Sequence, residues 1–187
     1  LLNITNELGN YGYAFVDVLP EVITDTDTEI AKILLNIGEA QKNYVERIEI
    51  INNTRTTDTV IRRELELVEG DAFNSLKLER SLRNVRNLGY FADVSVRNIA
   101  GSQAEQTITE IEVEEQSTGE LSFGVGYSSL DKASFNVGIN ERNFLGTGRG
   151  LEATIGASDS RTDIRIGITE PYLLGRNLRG NASVLNQ

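Results

Sequence analysis

The chain of 187 residues contains no cysteine, histidine, tryptophan or methionine, and only two prolines. Without cysteine, disulfides, thiolate metal sites and cysteine nucleophiles are excluded. Without histidine, Ser–His catalysis is excluded and most zinc sites are removed. No stretch approaches the roughly 18 consecutive apolar residues of a transmembrane helix, so none is expected. Positive charge is scarce: 18 Lys and Arg stand against 28 Asp and Glu, a formal charge of -10. Binding phosphates needs a basic surface, so nucleic acid is not an expected partner, and the acidity is read as solubility. With no methionine, and with Leu1 already inside a helical pattern, the sequence is expected to be internal to a longer chain, leaving no signal peptide to read.

What the sequence does have is alternation. In residues 119–129, Leu121, Phe123, Val125 and Tyr127 point one way, and Glu120, Ser122, Gly124, Gly126 and Ser128 the other. Successive strand side chains alternate faces, so this is a strand with one apolar side and one polar or empty side. Its length suits a tilted strand crossing a bilayer, about 9–11 residues.

Similar strands follow. Phe135, Val137 and Ile139 oppose Asn136, Gly138 and Asn140; Leu151, Ala153, Ile155 and Ala157 oppose Glu152, Thr154 and Gly156; Ile164, Ile166 and Ile168 oppose Arg165, Gly167 and Thr169. Residues 178–185 begin a fifth, less regular strand.

A meander of strands about 10 residues long is the segment pattern of an outer-membrane barrel. A soluble sandwich alternates in the same way. Two features favour lipid: the non-apolar face holds Glu, Arg, Asn, Ser and Gly, as a wet lumen would, and the aromatics Tyr127, Phe144 and Tyr172 gather at strand ends as in an interfacial girdle. Five strands cannot close, and an open set leaves unpaired backbone groups in hydrocarbon. The expectation is that more strands follow residue 187, or that residues 119–187 are not stable alone.

Ahead of residue 119 the pattern is α+β. Leu1, Ile4, Leu8 and Tyr11 share a helical face, and residues 15–22 and 28–38 read as strands. Residues 44–52 alternate as a strand, and an Asn- and Thr-rich turn follows. Thr57 is a plausible N-cap for a helix that carries Ile61, Leu65 and Val68 on one face and ends at Gly70. Asn74 caps a second helix with Leu78, Leu82, Val85 and Leu88 inward and Gly89 as C-cap. Strands at 91–99 and 107–115 complete the order strand, helix, helix, strand, strand. Gly12-Tyr-Ala-Phe-Val-Asp-Val18 returns as Gly89-Tyr-Phe-Ala-Asp-Val-Ser-Val96, an internal repeat that is partial in its first copy.

Other motifs carry no chemistry. Gly124-Val-Gly126 and Gly146-Thr-Gly-Arg-Gly150 are not followed by the helix that a nucleotide site needs. Asp25-Thr-Asp-Thr-Glu29 lacks the Gly and distal Glu of a calcium loop. Glu110, Glu112, Glu114 and Glu115 are read as solvated; the alternative reading is a carboxylate pair of the retaining-glycosidase kind. No catalytic residue, cofactor site or metal site is assigned, and the chain is not expected to be an enzyme.

Val60-Ile-Arg-Arg-Glu-Leu65, Val68-Glu-Gly70 and Asn87-Leu-Gly-Tyr-Phe91, in this element order, resemble a POTRA domain. Val113-Glu-Glu115, Thr118-Gly-Glu-Leu-Ser-Phe-Gly-Val-Gly-Tyr127, Asn143-Phe-Leu-Gly-Thr-Gly148 and Thr169-Glu-Pro-Tyr172 resemble the POTRA-to-barrel junction of the BamA family, outer-membrane protein assembly factors of Gram-negative bacteria.

The resemblance covers essentially the whole chain. It implies that residues 1–41 are the C-terminal half of a penultimate POTRA domain, 42–116 the last POTRA domain in the periplasm, and 119–187 the first strands of an incomplete transmembrane β-barrel. It implies assembly and insertion of β-barrel proteins in the bacterial outer membrane, with unfolded outer-membrane protein clients, periplasmic lipoproteins of the assembly complex and the lipid bilayer as partners. The first barrel strand (Glu120, Leu121, Ser122, Phe123, Gly124, Val125, Gly126, Tyr127) would be a lateral-gate strand whose free edge recruits a client strand by β-augmentation. Phe91, Asp93, Val94, Ser95, Val96 and Arg97 would lie on a POTRA edge strand acting likewise, and Arg62 and Glu69 match the positions that contact a lipoprotein in the family. The alternative is an outer-membrane translocation or secretion barrel of the same superfamily, of the TamA or two-partner secretion type. A third reading is a soluble periplasmic interaction module with a β-sandwich.

Overall fold

The alternating segments become strands, grouped into three sheets, in a computed structural model that describes residues 7–9, 11, 13, 16, 18–25, 30–38, 42–129 and 132–186. Strands β1 (Val18–Asp25) and β2 (Ile30–Ile37) form an antiparallel hairpin; β3 (Tyr44–Ile51), β5 (Gln106–Glu115) and β4 (Phe91–Ala100) form a sheet in that order. β6 (Gly119–Ser128), β7 (Lys132–Phe144), β8 (Arg149–Ser158), β9 (Thr162–Glu170) and β10 (Gly180–Asn186) follow one another across a five-stranded sheet. The helices are α1 (Asp58–Arg62) and α2 (Ser75–Asn87). The fold is thus an α+β unit of the β-α-α-β-β order followed by an open antiparallel sheet. By packing, the chain divides into two compact units: Leu1–Ile51 with Glu64–Asn87 and Val94–Val113, and Asn52–Arg63 with Leu88–Asp93 and Glu114–Gln187.

In the first unit, β3 and β5 pair in parallel, which requires a long crossover between them. The helix α2 starts where Asn74 Oδ1 accepts the Lys77 N–H at 3.0 Å. It buries Leu78, Ser81, Leu82 and Val85, a stripe at spacings of three and four, and Gly89 follows its end with φ +69°. β5 buries every second side chain, Thr107, Thr109, Ile111 and Val113, which leaves Glu110, Glu112 and Glu114 on its other face. Each fully buried Ile, Leu or Val contributes about 1.5–3 kcal/mol, so this stripe and this strand face are a large part of the unit's core, with Val45, Ile48, Leu67, Phe73 and Val94.

Two local expectations change. Strict alternation of β3 fails at Glu46: the register with β5 slips between Val45 and Arg47, so Val45 and Ile48 are both buried. One extra residue in a strand turns the following side chains to the opposite face.

The helix expected from 57 to 70 ends at Arg62. Beyond it, backbone groups find partners outside any helix: the Glu66 N–H donates to Ser81 Oγ (2.8 Å), Asn84 Nδ2 to the Glu64 carbonyl (3.2 Å), and the Gly70 N–H to the Val45 carbonyl (2.7 Å). Leu67 is therefore the buried residue and Val68 the exposed one. The helix expected over residues 1–13, and the first copy of the repeat, fall largely outside the described residues, of which 7–9 are helical.

In the second unit all neighbouring strands of the five-stranded sheet are antiparallel. Leu121, Phe123, Val125, Phe135, Val137, Ile139, Ile155, Ile164, Ile166 and Ile168 share one face and are exposed, Val125 to 82%. Across the other face polar residues sit opposite small ones: Ser122 beside Gly138 beside Thr154, and Gly124 beside Asn136 beside Gly156. Water on one side and a non-aqueous medium on the other is the arrangement that suits this inverted exposure.

The position of the buried side chain after α1 is checked by stability. Leu67→Ala is expected to cost about 2–5 kcal/mol by urea unfolding, and Val68→Ala no more than about 0.5 kcal/mol. Equal costs would restore the continuous helix.

Candidate functional site at the start of the five-stranded sheet

The entry into β6 is a three-residue connection, 116–118, held at both ends. Gln116 donates its N–H to the Tyr90 carbonyl (3.0 Å) and its side-chain amide to the carbonyls of Gly89 (3.2 Å) and Phe91 (3.1 Å). Thr118 hydrogen-bonds the Glu141 carboxylate through its hydroxyl and accepts the Arg142 N–H at its carbonyl (3.2 Å).

Just before this connection, Glu115 faces the turn after β3. Its carboxylate accepts the Thr54 hydroxyl (2.7 Å), the Arg55 N–H (2.8 Å) and the Thr56 N–H (2.6 Å). Burial pushes the Glu115 carboxyl up, but the hydrogen bonds from Thr56, Thr54 and Arg55 outweigh it and hold the group down to about 2 from an ordinary 4.5. An open cleft of about 320 Å³ bounded by Arg55, Glu115, Thr118 and Glu141 gives protons access to it.

The β7–β8 turn grips the same segment. Asn143 is buried; its Nδ2 donates to Thr56 Oγ1 (2.9 Å) and its Oδ1 accepts the Gly148 N–H (2.8 Å). The Gly146 carbonyl accepts the Thr57 N–H at 2.9 Å. Gly146 has φ +70°, and a Cβ there would lie 1.8 Å from the Arg55 carbonyl oxygen, so only glycine fits. The Tyr90 hydroxyl lies 3.1 Å from the Arg142 carbonyl and 3.3 Å from that of Gly148. The Arg63 guanidinium sits 4.1 Å from the centroid of the Tyr172 ring, so this aromatic has a cation as neighbour, beyond its expected place in a girdle.

The predicted site residues are placed as follows. Glu120, Leu121, Ser122, Phe123, Gly124, Val125, Gly126 and Tyr127 pair with β7 in unbroken register, and β6 has no strand on its other side among the described residues. β4 is likewise at a sheet edge: Phe91 and Val94 are buried, Val96 is half-buried, and Asp93, Ser95 and Arg97 are exposed. Arg97 pairs with Glu110, whose hydrogen bond and charge raise the arginine further. Arg62 and Glu69 are both exposed and belong to different units. Arg62 pairs with Asp58 (2.9 Å), and Glu69 Oε1 accepts the Ile48 N–H (2.9 Å).

Sequence reasoning missed Glu115, which it took as one more wet carboxylate, and the buried role of Asn143. The partners lie 59 to 61 residues from Glu115 and 87 from Asn143, so no local spacing announces them.

Residues 43–116 match the POTRA family, described as a surface antigen variable number repeat. Over 96% of its length the chain is 31% identical to the outer membrane protein assembly factor BamA of Neisseria meningitidis serogroup B, and it spans 23% of that relative. The crystal structure of Haemophilus ducreyi BamA lacking POTRA domains 1–3 superposes with a TM-score of 0.88 at 24% identity, covering 98% of this chain and 35% of that one. CdiB from Escherichia coli shares the fold more distantly, with a TM-score of 0.53 at 13% identity over 98% of this chain and 38% of its own.

Because the Glu115 carboxyl lies below its ordinary value when folded, its contribution is complete above about pH 4.5 and is lost as pH falls toward about 2. Glu115→Gln is expected to lower the melting temperature at pH 7 by about 2–4 °C and to remove this part of the acid profile. An unchanged melting temperature and profile would remove Glu115 from the junction.

Proposed function

From the membership of this chain in the BamA family of POTRA-bearing outer-membrane barrel proteins, we propose that it acts in the assembly and insertion of β-barrel proteins in the bacterial outer membrane. The observation that carries this reading is one chain holding an α+β unit and, three residues after it, a sheet with its apolar face exposed and, among the described residues, no strand on the outer side of its first strand. Such an edge offers backbone N–H and C=O groups to any extended segment, whatever its sequence. In this reading residues 42–116 are the periplasmic POTRA domain nearest the membrane and residues 119–187 the first barrel strands. Residues 1–41 end the preceding POTRA domain, supported by the hairpin β1–β2, whose Leu19, Val22, Ile33 and Ile37 stand exposed.

The mechanism rests on edges rather than side-chain chemistry. β6 is tied at its start by the bonds of Gln116 and Thr118, while its middle presents Gly124 and Gly126, which add no side-chain packing to the β6–β7 pair. A client's terminal strand adds to the free side of β6, and β4 offers a second edge to clients still in the periplasm. A periplasmic lipoprotein docks through Arg62 and Glu69.

The likeness to CdiB over the same length supports one other reading, a secretion barrel of the same superfamily. The two differ in what passes the edge: an inserted client stays paired in the membrane, and a secreted one does not.

Two tests follow. Cysteine at Ser122, with cysteines scanned along a client's terminal strand, is expected to form a crosslink during assembly in full-length protein. No crosslink in any register would remove β6 as the gate. Glu69→Gln keeps an acceptor for the Ile48 N–H and removes only the charge, so co-purification of the lipoprotein should fall by up to about fivefold with the fold intact. Unchanged co-purification would remove Glu69 from the docking site.

A further inference from the structure

The two edges of the β3–β5–β4 sheet are treated differently by the chain itself. On β3 the outer backbone groups at residues 43–48 are engaged by the segment that follows α1. The Gly70 N–H donates to the Val45 carbonyl (2.7 Å), the Val45 N–H to the Asp71 carbonyl (2.9 Å), and the Phe73 N–H to the Asn43 carbonyl (2.7 Å). The Ile48 N–H reaches Glu69 Oε1. The first half of this edge is closed to an added strand.

β4 is the edge that no described strand covers, and its register tells which groups it offers. The Gly101 N–H donates to the Gln106 carbonyl (2.8 Å), so residue 101 turns its backbone toward the β5 side. The side-chain pairs Arg97–Glu110 and Asn98–Thr109 continue the same antiparallel register. Val94, Val96 and Asn98 share one face of the strand: Val94 is buried, Val96 half-buried, and the exposed Asn98 accepts the Thr109 hydroxyl. In an antiparallel ladder, alternate residues direct N–H and C=O toward the partner strand and then away from it. The backbone groups of Val94, Val96, Asn98 and Ala100 therefore look out along the free edge. At one of them a side chain is already in place: Arg86, in the last turn of α2, donates from Nη2 to the Val94 carbonyl at 2.5 Å.

We propose that Arg86 is the gatekeeper of the β4 edge, a specificity-determining residue that confines strand addition to residues 96–100. The partner is an extended, unfolded polypeptide segment, since only a backbone matches a row of alternating N–H and C=O groups. A segment that pairs past Val96 toward Phe91 meets the Arg86 guanidinium already on the Val94 carbonyl, whereas one that stops at Val96 does not. The clamp sets how far along β4 a client pairs, and so which registers are accepted. This inference rests on the strand-addition reading of β4 given above.

A photo-crosslinking amino acid at residues 93, 95, 97 and 99 of the full-length protein, in membranes assembling client chains, reads the position of docking. In the otherwise unaltered protein, crosslinks at 97 and 99 should exceed those at 93 and 95 at least fivefold. Arg86→Ala should bring all four positions within about twofold of one another. Arg83→Ala, which removes a cation paired with Glu79 one turn earlier, should leave the original pattern. An unchanged pattern in Arg86→Ala, or an equal relaxation in Arg83→Ala, would overturn the clamp while leaving β4 as a docking edge. Absence of crosslinks at all four positions, with and without Arg86, would overturn strand addition at β4 and the clamp with it.

Discussion

One carboxylate sets the geometry from which the five-stranded sheet departs. Glu115, the last residue of β5, accepts three donors from residues 54–56, two of them backbone N–H groups in a tight turn. Unpaired, those donors would cost about 1–3 kcal/mol each where they are shielded from water. A carboxylate is the one side chain able to take all three at once, and its charge roughly doubles the strength of each bond. The turn so fixed presents Thr56 and Thr57 to Asn143 and the Gly146 carbonyl, and the β7–β8 turn closes over it. β6 and β7 are thereby both anchored at the end of their pairing where Gly119 opposes Glu141: β6 at 116–118 by Gln116 and Thr118, and β7 at 143–148 by Asn143 and Gly146.

This explains which parts were legible in the amino-acid sequence. Period-two patterns in β5 to β9 come from faces that differ in solvent, so they survive in the letters. The stripe of α2, its cap at Asn74 and its stop at Gly89 are likewise local. What local periodicity misread was decided by tertiary partners. Residues 64–70 have a helical spacing of apolar residues, yet Ser81 and Asn84 take their backbone groups and turn Leu67 inward instead of Val68. The bulge at Glu46 moves Ile48 to the buried face, which no alternation count registers. The Asn143-Phe-Leu-Gly-Thr-Gly148 motif was visible as a resemblance, but its reason was not. Asn143 bonds a threonine 87 residues away, and Gly146 is required by the carbonyl of Arg55.

In the function proposed above, the working parts are backbone edges, and side chains act by leaving them open or closing them. On β3 residues 69–73 close the first half of the edge. On β4 the chain leaves most of the edge open and occupies one carbonyl with Arg86. On β6 no described strand covers the outer edge, and two glycines remove side chains from the middle. Apolar residues such as Phe123 and Val125 face outward, so that a strand added at β6 extends a surface already suited to lipid. Chemistry of this kind tolerates many client sequences, because it reads main chain.

The central claim is that the turns at 54–57 and 145–148 hold each other through Asn143. Hydrogen–deuterium exchange of the Gly148 amide in the full-length protein, compared with Asn143→Ala, tests it most directly. The Gly148 N–H donates to Asn143 Oδ1, so the variant should exchange it at least tenfold faster, and the Thr57 amide with it, while amides of Ile111 and Val113 in β5 stay protected. Unchanged exchange at Gly148 and Thr57 in the variant would contradict the account.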